Sequence, residues 1–182
     1  MIYSLKDVST YGKGSYGRPR VLTWGNDSKF IVGKYCSIAG EVNLLLQAEH
    51  RTDWVTTYPF SVKLSKHWPE VHEIEGHPTT KGDIVVGNDV WIGWGVTLMS
   101  GITIGDGAVI GAYSVVGKDI PPYWVVAGNP IRMIRPRFSN LVINRLLKIK
   151  WWDWPDEKIR TNIRKLCGNK VAEFVAEFEN DK

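Results

Sequence analysis

The sequence predicts a parallel β-helix followed by α-helices, and three regularities along the chain predict it. Starting at Val86, aliphatic residues recur every six positions as Val86, Ile92, Leu98, Ile104, Ile110 and Val116. The residue after each is Gly87, Gly93, Met99, Gly105, Gly111 and Gly117. Four beyond each aliphatic comes a small or aliphatic residue: Val90, Val96, Ile102, Ala108, Ser114 and Ile120. A helix repeats near 3.6 and a simple strand at 2.0, so neither explains this spacing. A period of six suits one short strand and one corner, with the aliphatic inward and Gly or Asn at positive φ in the turns. Stacked strands and corners form a parallel β-helix, whose inner aliphatics build ladders.

The same template fits upstream from Val32 through Asn43, with Leu44 opening a third unit. Cys36 occupies the small slot there, which reads as a buried space-filler and not a catalytic thiol. The repeat stops at about Leu46 and resumes at about Ile84. The interval 47–83 is polar and aromatic and holds all four histidines, His50, His67, His72 and His77. Insertions in a solenoid map to loops on one face, and such loops carry function. After Val116 the pattern runs into turn-forming stretches at Lys118–Pro122 and Ala127–Pro130. Ser139 or Asn140 caps a helix running toward Lys150, with Leu141, Leu146 and Ile149 as its apolar stripe. Pro155-Asp156-Glu157 opens a second helix to about Leu166. A third spans Val171 to Phe178, with Val171, Phe174, Val175 and Phe178 on one face. The domain reading is a β-helix over 1–130 with 47–83 inserted, then a helical segment over 131–182.

Composition narrows the function. The chain has 182 residues, 43% hydrophobic and 23% charged, and reads as neither disordered nor membrane-spanning. Its longest uncharged run, Val90 to Gly105, is too short to cross a bilayer. Lys6 and Asp7 stand where a secretory leader needs an apolar core. Cys36 and Cys167 are far apart and imply no disulfide framework, so a cytoplasmic location is expected. The formal charge of +4 is uneven: Ile131 to Lys170 carries 11 Lys+Arg against 3 Asp+Glu, and Met1 to Pro130 carries 11 against 12. A basic back end suits nucleic acid, a membrane surface or the phosphates of a small anionic cofactor. No nucleic-acid motif accompanies it, so the small anion is the expected partner, with no nucleic acid and no membrane.

Four segments then carry a resemblance. Glu49-His50-Arg51-Thr52-Asp53-Trp54, Thr57-Tyr58-Pro59-Phe60, Gly87-Asn88-Asp89-Val90-Trp91-Ile92-Gly93 and Lys150-Trp151-Trp152-Asp153-Trp154-Pro155 resemble the hexapeptide-repeat acyltransferases. Within that family they look like the xenobiotic acetyltransferase branch, which includes the streptogramin A and chloramphenicol O-acetyltransferases. The resemblance covers roughly Val32 to Leu166. It implies a left-handed coil, a homotrimer with active sites between adjacent prisms, and acetyl-CoA lying along the coil surface. It also implies direct attack of a small-molecule acceptor on the thioester, with His50 as general base and no acyl-enzyme. Imidazole is the base best poised near neutral pH. The family usually has Asn before this histidine, and here Glu49 stands there.

The same resemblance assigns further positions. Asp53 and Tyr58 match acceptor-side residues, and Tyr35, in a turn of the first recognised coil, would face the acceptor cleft. Trp91 matches a tryptophan near the thioester end of the co-substrate. Trp94 takes a coil position usually filled by a small residue along the pantetheine. Ala112, Gly117 and Lys118 match positions at the pantetheine and phosphate end. Arg132 and Arg135 match positions that meet phosphates, which guanidinium binds bidentately. Trp151, Trp152 and Trp154 read as core or interface anchors.

His67, His72 and His77 come at intervals of five, whereas zinc ligands prefer i, i+4 on a helix or alternate residues on a strand, so no metal is expected. A γ-class carbonic anhydrase-like enzyme and a non-catalytic scaffold are the competing readings. The lead-in Tyr11-Gly12-Lys13-Gly14-Ser15-Tyr16-Gly17 looks like relatives that acetylate sugars. A sugar of surface polysaccharide is therefore the expected acceptor, with an antibiotic alcohol as the alternative.

Overall fold

A computed structural model describes residues 8–25 and 27–180, and in it the six-residue period becomes the rungs of a parallel β-helix. The expectation read at Lys6 and Asp7, like the start of the expected coil domain, lies outside the described residues. The first rung holds β1 (Ser9–Tyr11) and β2 (Arg20–Thr23). The second holds β3 (Phe30–Val32), β4 (Ser37–Ile38) and β5 (Asn43–Gln47). After the inserted segment, which carries the short helix α1 (Phe60–Lys63), come β6 (Ile84–Val86), β7 (Trp91–Ile92) and β8 (Thr97–Met99). Next are β9 (Ile102–Ile104), β10 (Val109–Ile110) and β11 (Val115–Val116). β12 (Trp124–Ala127) closes the stack and pairs antiparallel with β13 (Arg132–Pro136), the one antiparallel pair among the described sheet pairings. The three sheets run β1-β3-β6-β9, then β4-β7-β10-β12-β13, then β2-β5-β8-β11.

Register makes the ladders. Val32 sits on Val86 and Val86 on Ile104 in the first sheet. Ile38, Ile92, Ile110 and Val126 stack in the second, and Val21, Leu44, Leu98 and Val116 in the third. These residues are all buried, and so are the small-slot residues Cys36, Val90, Val96, Ala108 and Ser114. Burying one such aliphatic side chain stabilises by about 1.5–3 kcal/mol, so the ladders are the main cohesive term of the coil.

Glycine plays two parts, one of them the expected one: it holds positive φ at corners such as Gly95, Gly101 and Gly107. Positive φ falls three residues after each ladder residue: Tyr35 (57°), Asp89 (55°), Gly107 (67°) and Tyr123 (58°) at the corner from first to second sheet. The glycine that follows the ladder residue is instead required by stacking of backbone on backbone. A Cβ on Gly33 would lie 2.4 Å from the Gly87 carbonyl oxygen. Asn88 ties this corner together, accepting from the Lys34 amide at 2.8 Å and donating to Asp106 at 2.8 Å.

The coil also begins earlier than the repeat suggests. Tyr11 pairs with Val32, Tyr16 bridges to Ser37 and Val21 pairs with Leu44, so the lead-in is itself a rung.

Beyond β13 the chain forms α2 (Asn140–Ile149), α3 (Asp156–Thr161), α4 (Ile163–Leu166) and α5 (Val171–Phe178). Ser139 caps α2, its hydroxyl accepting from the Val142 amide at 3.4 Å. The buried stripe of α2 is Ile143, Leu146 and Ile149, and Leu141 is 61% exposed, one turn position off the face. The expected single helix from Pro155 divides at Asn162, whose amide side chain bonds back to the Lys158 carbonyl at 2.9 Å. The helices bury Trp152, Phe174, Val175 and Phe178 with Tyr123 in a second apolar core against the first corner. Around it Lys34 pairs with Asp153 at 2.9 Å, Lys13 with Asp156, and Arg137 with Asp89 at 3.4 Å. Such half-exposed pairs are screened by solvent and contribute little, so the apolar core holds the helices in place. Among the described residues no helix is long and apolar enough to cross a membrane.

Candidate active site

The inserted segment leaves the coil at the corner between third and first sheets and returns to it as a closed loop. Glu49 and Thr79 face each other in an antiparallel bridge, the Thr79 amide donating to the Glu49 carbonyl at 2.9 Å. The Thr80 hydroxyl donates to the Leu46 carbonyl at 2.6 Å, and the Ser100 hydroxyl donates to Glu49 Oε2 at 3.0 Å. These bonds fix the two loop stems against the coil. The other Glu49 oxygen is buried without a partner.

His50 follows directly and is exposed. Its Nδ1 lies 2.7 Å from the Thr57 carbonyl oxygen. A carbonyl only accepts, so Nδ1 carries the proton and Nε2 keeps its lone pair. The His77 ring stands edge-on to it, with centroids 4.8 Å apart and planes at 86°. Burial is the main reason the His77 imidazole is held below its ordinary pKa, and the neighbouring His50 adds to it. Together these two rings, Trp24, Pro59, Val62 and Lys63 line a cavity of about 200 Å³. An exposed imidazole with a free lone pair beside a small, half-apolar cavity is equipped to take a proton from a bound hydroxyl or amine.

The other expected acceptor residues do not line this cavity. Asp53 is bound by Arg51, which donates from Nε to Oδ1 at 2.7 Å and also from Nη2. That guanidinium holds the Asp53 carboxyl down at about 2, so it is a carboxylate at any working pH. Tyr58 is exposed and packs on Phe60, 4.8 Å between centroids. Tyr35, expected to face the acceptor, instead packs on Trp151 at 5.0 Å under the C-terminal helices. There it lines a second cavity of about 360 Å³ with Tyr123, Arg137 and Phe138, and that cavity contains no histidine. The physical reason is the apolar core at that corner, which claims the Tyr35 ring.

The positions expected to meet the co-substrate fall on two corners. Trp91 projects from the second sheet and Trp94 from the corner after it, where its ring covers Gly40; both are about half exposed. Ala112 shares that corner one rung on, and Arg132 and Arg135 are exposed on β13 of the same sheet. Gly117 and Lys118 are exposed on the third corner, the one from which the His50 loop springs. One chain therefore brings Lys118 to the side of His50 and keeps Trp91, Trp94, Ala112, Arg132 and Arg135 elsewhere.

Sequence reasoning missed Trp24, Lys63 and His77 as cavity residues. Trp24 follows the unrecognised first rung, and His77 reaches His50 only because the loop stems pair. The even spacing of His67, His72 and His77 does not become a cluster. His72 Nε2 bonds the Ser65 carbonyl at 2.7 Å, and no group of three or more metal-ligating side chains forms among the described residues.

The bacterial transferase hexapeptide family (six repeats) matches residues 83–118. A probable macrolide acetyltransferase of Lysinibacillus sphaericus is 46% identical over 146 residues, which is 80% of this chain and 81% of that protein. A chloramphenicol acetyltransferase of Agrobacterium fabrum is 39% identical over 158 residues, 84% of this chain and 73% of that one. A hexapeptide-repeat acetyltransferase from Vibrio cholerae O1 biovar eltor, solved with acetyl coenzyme A, superposes with a TM-score of 0.54 at 25% identity. That match covers 72% of this chain and 62% of the solved one.

Proposed function

Because this chain belongs to the xenobiotic-acetyltransferase branch of the hexapeptide-repeat acyltransferases, we propose that it acetylates a hydroxyl of an antibiotic-type acceptor, with His50 as general base. It is an acetyl-CoA-dependent acetyltransferase. The observation that carries the mechanism is the 2.7 Å contact of His50 Nδ1 with the Thr57 carbonyl. That bond holds the ring in one tautomer and aims Nε2 outward. His50 takes the acceptor proton at Nε2 while the acceptor oxygen bonds the acetyl carbonyl carbon. The carbon–sulfur bond then breaks, and the His50 imidazolium returns the proton to the departing thiolate. Carbon, sulfur and proton all balance without an acyl-enzyme.

The coil is left-handed on the family resemblance, the location is cytoplasmic on the cysteine usage, and a homotrimer is supported by the residues of one expected site lying on separate faces of one chain. A partner's corner would bring Trp91, Ala112, Arg132 and Arg135 to the loop that holds His50. Cations there suit the co-substrate's phosphates, and the exposed indoles suit its pantetheine arm. The sugar acceptor expected from residues 11–17 gains no support from the curated relatives. Both curated relatives named above act on antibiotics by name, which favours the alternative. No group of three or more metal-ligating side chains among the described residues favours the carbonic anhydrase-like reading.

The test is a release assay for free coenzyme A with chloramphenicol, streptogramin A, a macrolide and nucleotide sugars as acceptors. Turnover is expected with an antibiotic and to fall roughly 10²–10⁴-fold in His50→Ala, with acetyl-CoA affinity unchanged. Near-wild-type turnover in His50→Ala rejects the mechanism, and turnover with sugars alone rejects the acceptor class.

A further inference from the structure

The hydrogen bond from Nδ1 to the Thr57 carbonyl, at 2.7 Å, fixes one point of the His50 ring. A ring pinned at one point still swivels about that bond and carries Nε2 with it. The Nδ1–H form is also the tautomer that a free histidine favours less, so the loop has to impose it. The second constraint comes from His77, whose ring stands edge-on to that of His50, with centroids 4.8 Å apart and planes at 86°. Both His77 nitrogens are shielded from solvent, so the ring presents only carbon to the cavity it lines. Its neighbours are the His50 ring, the Trp54 ring at 6.0 Å and the Thr57 carbonyl, which favours a proton on this ring as well. The loop stem sets its place, since Thr79, two residues on, is bridged to Glu49, the residue before His50.

We propose that His77 is a positioning residue, whose ring blocks the swivel of His50 about its bond to Thr57 and so keeps Nε2 aimed at the acceptor. This rests on reading His50 as the general base. The Thr57 carbonyl acts on both imidazoles, so a displaced His77 ring disturbs the anchor of His50 as well as its wall. Charge decides whether a second imidazole is tolerated there. His50 becomes a cation when it takes the acceptor proton, and a charged neighbour at this distance would oppose that step. Burial above all, with His50 and Arg51 beside it, holds His77 below its ordinary pKa, so it meets the imidazolium as a neutral ring. A wall of this kind works by shape, and an aromatic ring without nitrogens should serve in its place.

The experiment compares wild type, His77→Ala and His77→Phe by saturation kinetics and by ring ¹⁵N spectra of His50. His77→Ala should lose kcat roughly 10–100-fold, since misplacing a reacting group by about 1 Å costs that much. KM for acceptor and for acetyl-CoA should stay within about twofold, because the His77 nitrogens meet neither. His77→Phe, which keeps the wall, should recover most of the turnover. The spectra are recorded without acceptor, well above the ordinary histidine pKa. They should show the Nδ1–H form of His50 in wild type and His77→Phe, and a mixture of tautomers in His77→Ala. Thermal melting reports whether each variant folds. If His77→Ala does not, the Nδ1–H form in both wild type and His77→Phe, with turnover kept in the latter, upholds the inference. A His77→Ala kcat within about twofold of wild type, or a loss carried by KM, overturns it. So does a His77→Phe no better than His77→Ala, or mixed tautomers in wild type. A wild-type enzyme that acetylates no antibiotic overturns the proposed function instead, and the acceptor-free spectra still judge His77.

Discussion

His50 owes its direction to a backbone carbonyl seven residues on. Thr57 holds Nδ1, so the lone pair that does chemistry is chosen by the loop and not by the side chain alone. The motif from Glu49 to Trp54 made His50 legible in the sequence, because the flanking residue types travel with it. Glu49 shows what that motif could not say: one oxygen serves as an anchor for Ser100, and the other is left without a partner. His77 was illegible, since its contact with His50 spans a loop and depends on stems that pair far from either ring. Its depressed pKa has a consequence for stability. The folded protein binds a proton on His77 less readily than the unfolded chain does. Stability is therefore intact above the ordinary histidine pKa and declines as pH falls below about 6.5. Melting curves between pH 7 and 5 should show a steeper loss of Tm for wild type than for His77→Asn (roughly the histidine range). Parallel slopes for the two proteins would contradict this account.

At the scale of elements, the rungs from Val32 to Val116 were legible because every corner keeps the same chain length, so the aliphatics stay in phase. The first rung broke that phase. Its ladder positions are Tyr11, Gly17 and Val21, with Gly17 under Ile38 because a Cβ there would lie 2.5 Å from the Ile38 Cβ. A glycine and an aromatic hide an aliphatic pattern. The turn chemistry was half legible: Gly95, Gly101 and Gly107 hold positive φ at corners as expected, but so do Tyr35, Asp89 and Tyr123, and the glycine directly after a ladder residue marks close stacking instead. Strand β13 carries Arg132 and Arg135 outward on an otherwise apolar sheet. Substituting both with Ala should raise the dissociation constant for acetyl-CoA by roughly tenfold or more, since charge-assisted bonds are among the stronger ones. Turnover at saturation should hold, because contacts remote from the reacting carbon act alike in ground and transition states. Calorimetry paired with saturation kinetics checks this. A collapse in turnover at unchanged affinity would mean these arginines sit elsewhere.

For the whole molecule, the exposed aromatic surface is the guide to assembly. Trp91 is 57% exposed and Tyr113 72% exposed, on the second sheet and on the corner after it. Apolar area of that kind on adjacent surfaces marks an interaction face. Closed symmetry is the usual way to cover it. Sedimentation equilibrium should find a particle of about three times 20.6 kDa, and a monomer there would sink the shared-site reading. The helices beyond the coil do something else. A stack of rungs in which each touches only its neighbours melts as a row of tiles lifts, from either end inward. Here the end of the chain lies across the beginning, with Asp156 at Lys13, Asp153 at Lys34 and Trp151 on Tyr35. The row is thereby bent into a ring of dependence. Neither end can lift without releasing the aromatic clasp that also covers Tyr123 near the far end. Amide exchange along the coil should then be level from first rung to last, where an unclasped solenoid would show a gradient.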